Sequence, residues 1–195
     1  MKHFIGTAVF FSFLFIAAGR LDYIQGILYV AIGLAMSVVG YTILKVDGDL
    51  LVERAKPGEN TKSWDKKILL LSFLSTIVMY IVAGLDSGRY HWSPEFHWSL
   101  IALGAVLTAL GQFLFLLAQK QNSFFSSTVR IQTERGHQVC DTGLYRVVRH
   151  PAYMGSMIQA LGFPMIFGSV WSILPVIVLL MLLIVRTHLE DRTLR

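Results

Sequence analysis

Between Ala152 and Val185 the chain carries no charged residue, and that run limits the folds open to it more than any other feature. As one α-helix rising about 1.5 Å per residue it would be roughly 51 Å long, against about 30 Å of hydrocarbon in a bilayer. It must therefore turn back on itself. Gly162, Pro164, Gly168 and Ser169 lie near its middle, where breakers end one helix and let another begin, so the run predicts a tight hairpin of two helices. Four charge-free runs precede it, Phe4–Gly19, Tyr23–Leu44, Ile68–Leu85 and Trp98–Gln119, each close to the roughly 20 residues that cross a membrane as a helix. The expected fold is an all-α, polytopic integral membrane protein with about six crossings. Residues 1–97 would supply N-terminal membrane helices, and 98–195 a region built from one span, a polar loop over 120–151 and the C-terminal hairpin.

Composition agrees. The chain is 54% hydrophobic and only 15% charged, with mean hydropathy +0.59, whereas a soluble domain carries about 25% charged residues. A single cysteine, Cys140, excludes an intramolecular disulfide framework. The histidines at 3, 91, 97, 137, 150 and 188 include no pair spaced like zinc ligands on one helix, so no metal site is expected. The net charge of +5 finds its explanation in topology rather than in nucleic acid, because the lysines and arginines fall between apolar runs. With the amino terminus inside, 15 of the 17 Lys and Arg lie on one face, only Arg20 and Arg89 on the other. That places both termini, the loop 120–151 and the cluster after Val185 in the cytoplasm. Lys2 followed by an apolar run ending Ala17-Ala18-Gly19 also has the form of a secretory signal peptide; its crowded phenylalanines favour a first span.

The hairpin is bracketed by polar residues, Gly143-Leu144-Tyr145-Arg146-Val147-Val148-Arg149-His150 before it and Arg186-Thr187-His188-Leu189-Glu190-Asp191 after it. Asp141-Thr142-Gly143 reads as a turn, and Pro151 suits the first position of a helix, where its missing N–H costs nothing. His150 then stands at the helix entrance, where free amides and the positive end of the helix dipole favour an anionic group. Arg186 and Glu190, four apart, share a helix face near the membrane boundary, one offering a fork for a carboxylate and the other an acceptor for an ammonium. The same residues also suit a plain interfacial role: arginines facing lipid phosphates, Tyr145 and Tyr153 in an aromatic belt, Arg186 and Glu190 in a surface pair.

Taken as a set, Arg149-His150-Pro151-Ala152-Tyr153-Met154-Gly155, the preceding Gly143-Leu144-Tyr145, and Arg186 with Glu190-Asp191 resemble the isoprenylcysteine carboxyl methyltransferase family, which is related to membrane phospholipid methyltransferases. The resemblance covers roughly residues 98–195. It implies S-adenosylmethionine bound in a cytosolic pocket formed by the loop and the two hairpin ends. By motif position, Gln132, His137, Gln138, Val139, Cys140, Tyr145, His150, Pro151, Ala152, Tyr153 and Glu190 would line the cofactor. Arg186 would hold the polar group of the acceptor, with Arg149 the second candidate catalytic side chain. A carboxylate acceptor, such as that of a prenylated cysteine, needs alignment but no base, whereas an amine or thiol must lose a proton and the sequence shows no obvious base. The chain departs from the family pattern at Asp191, where a Glu is usual, and in ending at Arg195, where members usually continue with an amphipathic segment.

The competing expectations are a phospholipid N-methyltransferase or small-thiol methyltransferase, a membrane reductase of the sterol type using NADPH, and a non-catalytic membrane protein or small transporter. Spans without charges disfavour a transport path. The absence of a Gly-x-Gly-x-x-Gly segment leaves the cofactor resting on the resemblance.

Overall fold

The computed structural model describes residues 11–45, 61–129 and 138–193, and within them the regular structure is helical throughout. Helix α1 is described over residues 11–18. Then come α2, Ile24–Val38, continued by a π-helical turn at Val39–Ile43; α3, Ser63–Ala83, continued by another at Gly84–Tyr90; α4, Trp98–Gln121; α5, Pro151–Phe167; and α6, Ile173–Thr193. Four of these units are long and apolar enough to cross a membrane: Ile24–Ile43, Ser63–Tyr90, Trp98–Gln121 and Ile173–Thr193. The chain is an integral membrane protein. The described residues thus give four such spans against an expected six crossings; α5, at 17 residues, is shorter.

The apolar run does fold back, but at one place only. Helix α5 runs through Gly162 and Pro164 and stops at Gly168, which takes φ +63° in the left-handed region, the conformation that costs glycine least. The Gly168 and Ser169 amides close on the carbonyls of Met165 and Pro164.

Gly162 has a different task. Gly104 and Gly111 on α4 face Gly162 and Gly155 on α5, the two helices running antiparallel. A Cβ at Gly155 would stand 2.7 Å from Gly111 O, and one at Gly162 2.7 Å from Gly104 O. In lipid, where no hydrophobic force drives helices together, small residues let backbones approach and gain van der Waals contact. This fixes α5 against α4, while α6 packs on α3 and α5.

The core is aromatic, formed where Tyr29, Tyr80, Phe163 and Phe167 meet. The Tyr29 ring packs edge-on against Phe163 and Phe167, and its hydroxyl lies 2.7 Å from that of Tyr80, so neither buried hydroxyl lacks a partner, as an apolar interior demands. At the α5–α6 turn the last carbonyl of α5, Phe167 O, accepts from Tyr23 Oη (2.9 Å) and Ser87 Oγ (2.6 Å), satisfying a helix terminus that hydrocarbon could not. Fully buried Asp86 accepts from Ser93 N, Ser93 Oγ and Ser169 Oγ at 2.7, 2.6 and 2.6 Å. The turn is thereby tied to the end of α3. At the opposite end of the bundle α3 and α5 begin and α4 and α6 finish, and the polar residues bracketing the hairpin gather there.

Candidate functional site

Pro151 occupies the first turn of α5 with His150 as its N-cap. The first intrahelical bond at this end is Met154 N to His150 O, 3.0 Å, so the amides of Ala152 and Tyr153 precede the ladder, as first-turn amides do. The His150 ring stacks on Tyr153, centroids 5.5 Å apart and planes 13° from parallel. Across the hairpin, α6 presents Arg186, Glu190 and Asp191 to these two rings. His150 Nε2 lies 2.8 Å from Asp191 Oδ1, the Tyr153 hydroxyl donates to Glu190 Oε2 at 2.6 Å, and the Arg186 guanidinium carbon sits 5.3 Å from the centre of the Tyr153 ring. The four-residue spacing does put Arg186 and Glu190 on one face. They do not pair with each other; both reach Tyr153.

Arg186 is buried and needs a countercharge, since an unpaired ion away from water is costly. Asp65, fully buried in the first turn of α3, supplies it. Arg186 Nε donates to Asp65 Oδ1 at 2.8 Å and Nη2 to Oδ2 at 3.4 Å, while Nη2 also donates to Ser127 O at 2.7 Å. The Val129 amide donates to Asp65 Oδ2 at 2.8 Å. One ion pair thus ties α3, α6 and the loop leaving α4. Among the described residues, Nη1 is the guanidinium nitrogen left without a partner.

An imidazole, a phenol and two carboxylates at a helix entrance form a polar site at one end of an apolar hairpin. Residues 99–195 match the model of a family described as phospholipid methyltransferase. They belong to the phospholipid methyltransferase family. Among curated proteins, the chain is similar to protein-S-isoprenylcysteine O-methyltransferase of Schizosaccharomyces pombe, 32% identical over 114 residues, which are 58% of this chain and 42% of the relative. It is 27% identical to protein-S-isoprenylcysteine O-methyltransferase B of Arabidopsis thaliana over 95 residues, 49% of this chain and 43% of that one. A probable protein-S-isoprenylcysteine O-methyltransferase of Oryza sativa subsp. indica is 33% identical over 67 residues, 34% of this chain and 35% of the relative. The matched region spans less than half the length of each relative. No solved structure matches.

Within the family region, the structure brings His150, Tyr153, Glu190 and Arg186 into one cluster. Pro151 and Ala152 are buried and offer the site backbone rather than side chain. Tyr145 lies half-buried in a 3₁₀ turn, Gly143–Arg146, shortly before His150 in the chain, and Arg149 is exposed beside His150. Gln138 and Val139 are exposed. Cys140 Sγ approaches Gln121 O at 3.5 Å, and Gln121 Oε1 accepts from Leu144 N at 2.8 Å, so this part of the loop is anchored to the end of α4. Gln132 and His137 lie outside the described residues.

Sequence reasoning missed two participants. Asp191 was visible as an acid but not as the partner of His150, and with it that ring becomes a candidate base that the sequence did not reveal. Asp65 stands among Lys62, Lys66 and Lys67 and reads as one more loop charge. Its signal was its place: an acid in the first turn of a span, at the same end of the apolar runs as Arg186, the first charge after Val185.

Proposed function

We propose that this chain is an integral-membrane methyltransferase that uses S-adenosylmethionine and methylates the polar head of a lipidic acceptor, a prenylcysteine carboxylate being favoured. The observation that carries the proposal is the convergence of His150, Tyr153, Glu190 and Asp191 at the entrance of α5. When bound, S-adenosylmethionine supplies a methyl group on a sulfonium. Its own charges suit the donor set: free amides at the start of α5 for a carboxylate and the Glu190 carboxylate for an ammonium. Tyr153 fixes Glu190 through its hydroxyl and backs the His150 ring, so these side chains bind and orient; methyl transfer in line needs chiefly alignment. Arg186 Nη1 faces the acceptor carboxylate in this proposal, with Arg149 beside the entrance. The acceptor's apolar tail stays in the bilayer, against the lipid-facing helices. The excess of Lys and Arg in the segments that an inside amino terminus groups on one face supports a cytoplasmic site, with both termini on that side in this proposal.

An amine acceptor is the second reading, favoured by the His150–Asp191 pair: with Nε2–H donating to the carboxylate, Nδ1 is left to take a proton. Protein purified in detergent and titrated with labelled S-adenosylmethionine tests the proposal. Saturable binding that disappears in Glu190→Ala and His150→Ala is expected, with transfer of label to N-acetyl-S-farnesylcysteine as a base-labile ester. Transfer to phosphatidylethanolamine instead would select the amine reading, and binding of NADPH with none of S-adenosylmethionine would select a reductase.

A further inference from the structure

Asp65 lies outside residues 99–195, the part of the chain that matches the family, yet its carboxylate is completely buried and closes on Arg186 inside that part. Both oxygens are used: Oδ1 by Arg186 Nε, Oδ2 by Arg186 Nη2 and the Val129 amide. We propose that Asp65 is a positioning residue for the cofactor site, acting through Arg186; the proposal rests on the methyltransferase reading above.

The geometry runs in one line. Asp65 and Ser127 O hold two of the three guanidinium nitrogens, which sets the group 5.3 Å from the Tyr153 ring centre. The Tyr153 ring in turn stacks on His150 and delivers its hydroxyl to Glu190. An arginine near a membrane boundary that loses its carboxylate can swing its long stem toward the headgroups. Tyr153 would then lose the cation over its face, and Glu190 and His150 would lose the fixed ring that orients them. The N-terminal helices therefore do more than anchor the chain: α3 contributes a charge without which the cofactor end of the hairpin is not held.

A merely structural role is distinguishable, because the bundle contains a matched control. Asp86 is as deeply buried as Asp65 but sits 21 residues further along the chain, past the end of α3, where it serves the α5–α6 turn. Purified unaltered protein, Asp65→Asn, Arg186→Gln, the double variant and Asp86→Asn are each titrated with S-adenosylmethionine in detergent and melted in parallel. Asp65→Asn is expected to weaken binding about fivefold or more, from the usual size of couplings between contacting residues. Arg186→Gln should do the same, and the double variant should be no weaker than Arg186→Gln alone. Asp86→Asn should lower the melting temperature and leave affinity unchanged. Should Asp65→Asn fail to fold, the double variant, which buries neither charge, decides the matter by the same comparison with Arg186→Gln. The inference is overturned if Asp65→Asn binds as the unaltered protein does, if the two single losses add in the double variant, or if Asp86→Asn weakens binding equally. No binding by the unaltered protein would overturn the methyltransferase reading, and this inference with it.

Discussion

Replacing Tyr153 by phenylalanine removes one oxygen from the site and nothing else. The hydroxyl donates to Glu190 Oε2 at 2.6 Å, a short bond to a charged acceptor, and such bonds contribute about 1.5–3 kcal/mol. Glu190 is half-buried, so water partly replaces the lost donor and the lower end applies, about 1.5 kcal/mol or roughly tenfold in cofactor affinity. The ring remains, so its stack on His150 and its place under the Arg186 guanidinium should survive, and the melting temperature should fall by only a few degrees. Tyr153→Leu removes the ring as well, and with it a cation–π contact of about 0.5–2 kcal/mol; both affinity and melting temperature should then fall. The assay is titration with S-adenosylmethionine in detergent, beside thermal unfolding of the same preparations. Unchanged affinity in Tyr153→Phe with loss in Tyr153→Leu would refute the idea that the phenol holds Glu190 for the cofactor, leaving the ring as a packing element only.

Gly155→Val should lower the melting temperature markedly, because the new Cβ would meet Gly111 O at 2.7 Å and Phe115 N at 2.8 Å and overpacking costs about 1–3 kcal/mol; an unaltered melting curve would refute the close α4–α5 approach. Gly168→Ala should cost only about 1 kcal/mol, since the nearest atoms would be 3.9 Å away and the strain is that of the left-handed backbone alone, with cofactor affinity unmoved. Asp86→Ala should destabilise more, because Ser93 N, Ser93 Oγ and Ser169 Oγ lose their acceptor at about 1–3 kcal/mol for each donor left unpaired; thermal melting measures it. Arg186→Gln should reduce turnover more than cofactor affinity, and equal loss of both would remove its assigned role toward the acceptor.

The site was legible where chemistry is local. Pro151 preceded by a polar residue marks a helix entrance whatever surrounds it, and His150 and Pro151 stand there as expected. The i, i+4 spacing of Arg186 and Glu190 puts them on one face by helix geometry alone. What that face meets is another matter. Arg186 finds Asp65, 121 residues away in the chain, and no spacing rule connects them.

The hairpin shows the same division. Too many apolar residues for one crossing dictate a reversal, so the sequence determined that α5 and α6 run back to back and that their polar ends meet at one end of the bundle. Four breakers were available, and tertiary packing chose among them. Gly162 is consumed by contact with Gly104 and Thr108, and Pro164 is carried inside α5, while Gly168 alone of the glycines there takes a positive φ, with the turn held by Asp86 and Ser87 from the π-helical turn that follows α3. The membrane's demand that apolar length match its thickness and that backbone polar groups be paired can be read along a chain. Which buried charge meets which, and which glycine bends, depend on neighbours distant in sequence, and only the assembled helices supply them.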